Sequence, residues 1–343
     1  MKKSWINLLF TLATFGAVSA CAGATLLFPV VVNGRWGYVN QSGETVINPQ
    51  FDRAEKFTDG LAPARLGRWG YVDASGKFAI NPQFDRADGL SEGLAAVKLG
   101  GGGPSPAAPY DPRPFYAFGG GGGHYGFVSP DGKYVINPQF DDAGPFSEGL
   151  APVKMGRWGF IDKTGKVVIN PQYDSATAFS QGLAAIKLDG RWGYTDASGK
   201  TAINPQFDKA LPFSEGLAAV KLGGRWGFID KTGKYSVNAQ FDDAGSFAKG
   251  LAPVKQGKHW GYIDPSGKLV INPQFDEAVP FSEGLAAVRQ SGHWGYVDTT
   301  GKTMINPQFD EAASFTNGLA WIKTSGRYGY INNIGKYVWN PSK

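Results

Sequence analysis

One cysteine, three histidines and three methionines in 343 residues leave little material for disulfide, metal or redox chemistry. A lone Cys21 cannot form an internal disulfide, so stability must come from packing. The histidines, His124, His259 and His293, each stand immediately before the Trp or Tyr of a recurring phrase, a place held elsewhere by Arg35, Arg68, Arg157, Arg191, Arg225 and Arg327. They are one column spread along the chain, whereas a metal site or a catalytic triad needs different positions converging on a point. Charge is scarce as well. Charged residues make up 18% with a formal net of +5, too mild a balance to point to nucleic acid. The run Gly119 to Gly123 lacks the Lys-Ser/Thr of a phosphate-cradling loop. The expectation is no catalytic residue, no metal and no cofactor.

Gly (49) and Pro (22) are plentiful, and hydrophobic residues reach 42% with 14% aromatics. That is a folded chain of many turns and short strands, and the fold class expected is all-β.

The N-terminus reads separately. Lys2 and Lys3 precede an apolar stretch from Trp5 to Val18, and the small residues of "AVSACAGA" follow. This is the layout of a secretory signal over 1–20, too short to span a bilayer. No other stretch approaches transmembrane length. "VSAC" resembles the bacterial lipobox, with Val18 where Leu is commonest. The resemblance implies lipidation of Cys21, a short tether over 21–26 and anchoring by lipid only. Ala22 after the cysteine implies the outer membrane, by similarity to Gram-negative lipoproteins. Ordinary cleavage after Ala20 or Ala22, giving a soluble periplasmic or secreted protein, is the alternative.

From residue 27 the chain repeats itself. "INPQFDKALPFSEGLAAV" from Ile203 returns 68 residues later as "INPQFDEAVPFSEGLAAV" from Ile271 with two letters changed. Trp-Gly or Tyr-Gly pairs begin at Trp36, Trp69, Tyr125, Trp158, Trp192, Trp226, Trp260, Trp294 and Tyr328. The phrase divides the chain into nine units: 27–60, 61–93, 94–149, 150–182, 183–216, 217–250, 251–284, 285–318 and 319–343. Each reads as three short antiparallel strands. "LAAVKL" and "RWGFID" are followed by the turn "DKTGK", where Asp bonds its own backbone and Gly takes positive φ, then by a strand ending at Asn-Pro. The rest, such as "QFDEAVPFSEG", reads as a connector with a helical turn. Phe207, Phe213, Phe275 and Phe281 would bury between units, because one three-stranded unit has too little core alone.

The recurring "RWGYVD.SGK..INPQFD.A..FSEGLA.V" resembles the WG, or KWG, repeat of bacterial proteins. The resemblance implies a β-rich, often exported repeat protein and no particular reaction. Trp36, Trp69, Trp158, Trp192, Trp226, Trp260 and Trp294 are read as scaffold, each ring beside a glycine that lets backbone or another ring approach. Asp52, Asp85, Asp141, Asp174, Asp208, Asp242, Asp276 and Asp310 recur at one position, so none stands out as an active site. Lysine columns, with Arg65 and Arg289 in one of them, read as solvated faces compensated by acids.

Atypical end units, with Asn40 and Asn332 in place of the turn Asp, suit an open array with caps. An open β solenoid or superhelix is therefore expected, with a propeller-like ring as the alternative. One segment breaks the pattern. "GGGGPSPAAPYDPRPFYAFGGGGG", 100–123, enters the third unit and offers Tyr110, Arg113, Phe115, Tyr116 and Phe118 as candidate binding residues. The function expected is a non-enzymatic envelope scaffold with a protein, glycan or peptidoglycan partner. The alternative, an envelope glycan-processing enzyme, would need two carboxylates set apart from the columns, and the sequence supplies no such pair.

Overall fold

A computed structural model describes residues 26–100 and 122–342. Strands β1 (Phe28–Val32), β2 (Arg35–Val39) and β3 (Thr45–Phe51) form the first antiparallel sheet. The next sheet has four strands, β4 (Arg53–Ala54), β5 (Ala62–Leu66), β6 (Arg68–Val72) and β7 (Phe78–Phe84), hydrogen-bonded in that order. Seven more four-stranded sheets repeat this plan. The chain is a nine-bladed β-propeller, a closed ring, and not an open solenoid.

Closure is visible at the seam between the last blade and the first. In each blade the turn glycine before the outer strand lies on an aliphatic side chain of the preceding blade. Gly76 meets Ile47, and Gly335 meets Ile305. Gly43 of the first blade lies at the same place on Val338 of the ninth, closest there to its backbone carbonyl. Tyr330 donates its hydroxyl to the Pro29 carbonyl at 3.0 Å, and Gln41 donates to Asn317 O at 2.9 Å. The Phe28 ring meets Tyr330 edge-on with centroids 5.6 Å apart. Residues unlike their repeat equivalents, among them Phe28, Trp321 and Trp339, pack together here. What reads in sequence as capping of an open stack is the latch of a ring.

The unit is four-stranded rather than three-stranded, because the supposed connector is a strand. Asp52 N–H donates to Arg65 O at 2.8 Å, Glu55 N–H to Pro63 O at 2.9 Å and Thr58 N–H to Leu61 O at 2.9 Å. The segment is thus one arm of a hairpin, with no helical turn. Its tip, Asp59-Gly60, has φ of 48° and 83°, the two positive values of a type I′ hairpin turn. Each four-stranded sheet takes this first strand from the end of the preceding sequence repeat.

The outer strand also continues past Asn-Pro. β6 and β7 pair Tyr71 with Ile80 and Trp69 with Phe84, so two extra residues bulge out at Asn81-Pro82-Gln83. Pro is tolerated there because a bulge needs no ladder donor. The bulge lies over the glycine after Trp. A Cβ on Gly70 would overlap Ile80 O and stand 2.8 Å from Pro82 N. Phe84 is then buried, and Asp85 already belongs to the next blade.

Between blades the core is aromatic. The residue two after the Trp or Tyr, such as Tyr38, Tyr71, Phe127, Phe160 and Tyr194, is 0 to 1% exposed in the first eight blades, and Tyr330 in the ninth is buried too. In most junctions this residue packs on the Phe of the next blade's first strand, with centroids 4.9 Å apart for Tyr38 and Phe57 and 4.8 Å for Tyr194 and Phe213, while Tyr71 shares its cluster with Leu90. Phe207, Phe213, Phe275 and Phe281 are all buried, as their spacing suggests.

Ring closure predicts a specific sensitivity. Gly43→Ala places a Cβ against Val338 backbone at φ 85°, whereas Gly34→Ala at φ 75° enters open space. The first should cost more than about 2 kcal/mol and the second about 1 kcal/mol, measured by thermal or denaturant unfolding. Equal costs would contradict a closed seam.

Candidate functional site

Antiparallel order gives the ring two faces. The first-to-second and third-to-fourth strand turns lie on an upper face. The second-to-third turns and the blade-to-blade junctions lie on a lower face.

Ser91, Pro145, Phe146, Ser147, Thr177, Ala178, Phe179, Ser180 and Pro212 line an open cavity of about 300 Å³. They come from four consecutive blades. Only the converging inner edges of a ring allow that, so the first strand of each blade forms the inner wall. Serine hydroxyls bind these strands in sequence. Ser91 Oγ donates to Phe146 O at 2.7 Å, Ser147 to Phe179 O at 2.8 Å, Ser180 to Phe213 O at 2.7 Å and Ser214 to Phe247 O at 2.7 Å.

The upper rim of the inner wall carries an unusual turn. Glu92, Glu148, Glu215 and Glu283 hold φ between 52° and 55°, a region that side chains larger than Asn rarely adopt. Each carboxylate accepts a backbone N–H from the next blade's turn. Glu92 takes Gly149 N at 3.1 Å, Glu148 Gly182 N at 2.8 Å, Glu215 Gly250 N at 2.9 Å and Glu283 Gly318 N at 2.9 Å. The charge-assisted bond offsets the backbone strain. Lys163 adds an ion pair to Glu92 at 3.1 Å.

On the lower face the repeated junction Asp is a clip. Asp52 accepts from Arg35 Nη1 at 2.5 Å and from Gly67 N–H at 2.7 Å, tying two blades together. Arg157 meets Asp174 at 2.9 Å, and Arg191–Asp208 and Arg225–Asp242 repeat the pair. These pairs are half exposed and contribute little each. The histidine column occupies the same lower-face position.

The outer turns behave as their sequence implies. Asp73 Oδ1 accepts Ser75 N at 2.8 Å, Ser75 Oγ at 2.6 Å and Lys77 N at 3.2 Å. The Ser or Thr hydroxyl, followed by these backbone bonds, holds Asp73, Asp162, Asp196, Asp230, Asp264 and Asp298 below the usual carboxylate range.

The seven tryptophans of the Trp-Gly pairs stay apart, each in a different blade. Trp158 and Trp226 are buried and the other five half-buried, each against the core of its own blade junction. The deeper aromatic column at Tyr38 and its equivalents was overlooked in the sequence, although an aromatic two residues after each Trp-Gly start was there to find it. Where this residue is Tyr its hydroxyl reaches the next blade, as Tyr194 does to Leu211 O at 2.8 Å. Cys21 and Tyr110, Arg113, Phe115, Tyr116 and Phe118 lie outside the described residues. Gly100 and Gly123 place the insertion's two ends on the lower face of the third blade, between its second and third strands. Among the described residues no three His, Cys, Asp or Glu side chains gather as a metal site would require, and no helix is long and apolar enough to cross a membrane.

With the geometry in place, a family model described as WG containing repeat matches residues 36–68, 69–102, 125–157, 158–192, 192–226, 226–258, 260–292 and 294–328. The chain belongs to the WG-repeat family. No curated protein matches it. Among solved structures, a eukaryotic initiation factor superposes with a TM-score of 0.63 at 12% identity, over 91% of this WG-repeat chain and 95% of that one. That likeness concerns the fold alone. Dihydro-heme d1 dehydrogenase NirN aligns with a TM-score of 0.43 at 13% identity, over 61% of this chain and 58% of that one. Kluyveromyces lactis Hsv2p reaches 0.38 at 11%, over 58% and 74%. Neither of these two scores supports an argument.

One titration departs from the turns. Burial raises the Asp142 carboxyl to about 6. A raised carboxylate stabilises the fold below its ordinary range and loses that contribution as pH rises through about 6. The turn aspartates act oppositely, stabilising above the ordinary range and failing as pH falls below it. Asp142→Asn should therefore flatten the fall in melting temperature between pH 4 and pH 7 while leaving the acid limb intact. An unchanged profile in calorimetry would refute the assignment.

Proposed function

We propose that this WG-repeat propeller is a non-enzymatic binding scaffold of the cell envelope, lipidated at Cys21, with a protein, glycan or peptidoglycan partner. The observation that carries the reading is that its carboxylates and hydroxyls occur as columns engaged in the same structural bond in blade after blade. The junction Asp clips adjacent blades, the turn Asp closes an outer hairpin and the inner Glu joins neighbouring turns. A general acid or base must be free to exchange a proton with substrate, and groups repeated in this way serve the frame.

A rigid ring suits display. The inner-wall cavity presents Pro145, Ala178 and Pro212, while Ser91, Ser147, Ser180 and Thr177 are hydrogen-bonded within the wall. The insertion departs from the lower face of a fixed blade, as recognition loops on scaffolds do. "VSAC" supports the lipid anchor, and the outer membrane is the proposed location.

Two measurements test the reading. Labelled palmitate should enter the native protein and be absent from Cys21→Ala; a soluble, unlabelled native protein refutes the anchor. Envelope extract passed over the wild type should yield partners that are lost on deleting 101–122 or on Ala178→Arg in the inner wall. Partners retained by both variants would remove these two surfaces from the function.

A further inference from the structure

Corresponding residues of different blades can be compared as internal controls, and on the lower face they differ in charge. The first strand of each blade pairs one residue directly with a basic residue of the second. In the fourth, seventh, eighth and ninth blades the pair is acid with base: Asp142 with Lys154, Asp243 with Lys255, Glu277 with Arg289 and Glu311 with Lys323. The eighth and ninth are closed ion pairs, both at 2.8 Å. In the second, third and sixth blades the pair is base with base, Arg53 with Arg65, Arg86 with Lys98 and Lys209 with Lys221, and of these only the second and third are adjacent. Like charges directly across a ladder are destabilising.

The neighbouring positions enlarge the difference. Arg35 and Arg68 precede the Trp where His259 and His293 stand at the corresponding places leading into the eighth and ninth blades. Around the second and third blades six cations, Arg35, Arg53, Arg65, Arg68, Arg86 and Lys98, therefore accompany four carboxylates, Asp52, Glu55, Asp85 and Asp88; Lys98 is buried over the Tyr125 ring, and Arg53 and Arg86 are ion-paired with Glu55 and Asp88. At the equivalent positions of the eighth and ninth, two cations, Arg289 and Lys323, accompany four carboxylates, Asp276, Glu277, Asp310 and Glu311. Opposite balances arise on one face of one ring. Arg35 and Arg68 are each more than half exposed even with their Asp partners in place. The five cations that reach solvent are all arginines, whose planar fork matches sulfate, phosphate and carboxylate groups.

We propose that the lower face of the second and third blades is a docking surface for an anionic glycan, a polymer bearing phosphate, sulfate or carboxylate groups at regular intervals. The cations recur at one-blade steps along an arc, so a repeating polyanion can engage several at once, and weak single contacts then multiply. A polymer also fits a shallow face better than a compact ligand would. The insertion leaves the same face at the third blade, beside this arc. This inference rests on the binding-scaffold reading and narrows its partner to an anionic one.

The test uses the full chain carrying Cys21→Ala, so that no acyl chain contributes, and labelled dextran sulfate as probe with neutral dextran as control. Binding by anisotropy should be seen for dextran sulfate alone and should weaken with added salt. A four-residue graft, Arg53→Glu/Glu55→Val/Arg86→Glu/Asp88→Ala, copies the pattern of the eighth and ninth blades. It should keep or raise the melting temperature and weaken binding by about tenfold or more. If the graft loses its thermal transition, Arg53→Gln/Arg86→Gln replaces it and is read in the same way. Unchanged affinity in a folded variant overturns the proposal, as does equal binding of neutral dextran. Poly-glutamate bound as tightly as dextran sulfate, and equally sensitive to the graft, would make this an acidic-protein surface and overturn the glycan assignment. Because purified components are used, failure here leaves the envelope reading standing, and failure of the palmitate experiment leaves this one standing.

Discussion

The close passage of the outer strand over the glycine after each Trp or Tyr governs the rest of the architecture. At Gly37 a Cβ would overlap Ile47 O and lie 2.7 Å from Pro49 N. With hydrogen in its place, the bulge at Asn-Pro-Gln folds inward and brings Phe51 opposite Trp36. The next residue, Asp52, is then positioned to accept the Gly67 N–H of the following blade. Any side chain at that glycine would lift the bulge, move Phe51 and displace the junction. The Trp-Gly dipeptide is thus a steric condition for passing from one blade to the next, and the large ring beside it covers the bulge's partner strand.

Much of this was legible in the sequence. The strand–turn–strand order, the Asx turns and the need for close approach at glycine all follow from local residue chemistry. Two features were not legible, for different reasons. The first strand reads as a connector because its buried residues, Ala54 and the half-buried Phe57, are three apart and match no strand period. Its turn hides as well. A type I′ turn announces itself by Asn-Gly or Asp-Gly, whereas four of the eight turns use Glu-Gly, stabilised by a hydrogen bond from a blade 34 to 57 residues away. Nor does closure belong to any single unit. It depends on the sum of nine small rotations, and the residues that record it, Phe28, Pro29 and Val338, look like ordinary end effects until both ends are placed together.

The seam shows how closely the substitute contacts reproduce the regular ones. In an internal junction a Tyr hydroxyl reaches a first-strand carbonyl whose own N–H is bonded to the second strand, as with Tyr38, Glu55 and Pro63. The first blade has no such strand among the described residues, and Pro29 holds the place of Pro63. Its carbonyl takes the Tyr330 hydroxyl directly, and Phe28 supplies the ring that a first-strand Phe supplies elsewhere. Two residues of β1 therefore do at the seam what a whole strand does at the other junctions. The Trp339 Nε1 nearby is buried without a partner, a sign that packing rather than hydrogen bonding dominates the joint.

A ring of near-identical blades sets a particular condition on recognition. A group present in every blade is presented nine times around an axis, so it cannot by itself tell a partner where to dock or in which orientation. Selectivity must come from departures from the repeat, and those fall into few sets. Phe28, Trp321 and Trp339 depart because they close the ring, the first two buried and Trp339 half-buried in the seam. Lys249 replaces the inner-rim glutamate and interrupts the chain of turn-to-turn bonds, and Asp59, one methylene shorter, makes no such bond either; both act within the frame. The excess of arginine around the second and third blades and the insertion after Gly100 are not required by ring closure. These arginines and the two ends of the insertion, Gly100 and Gly123, lie on the lower face, where a single partner can reach both.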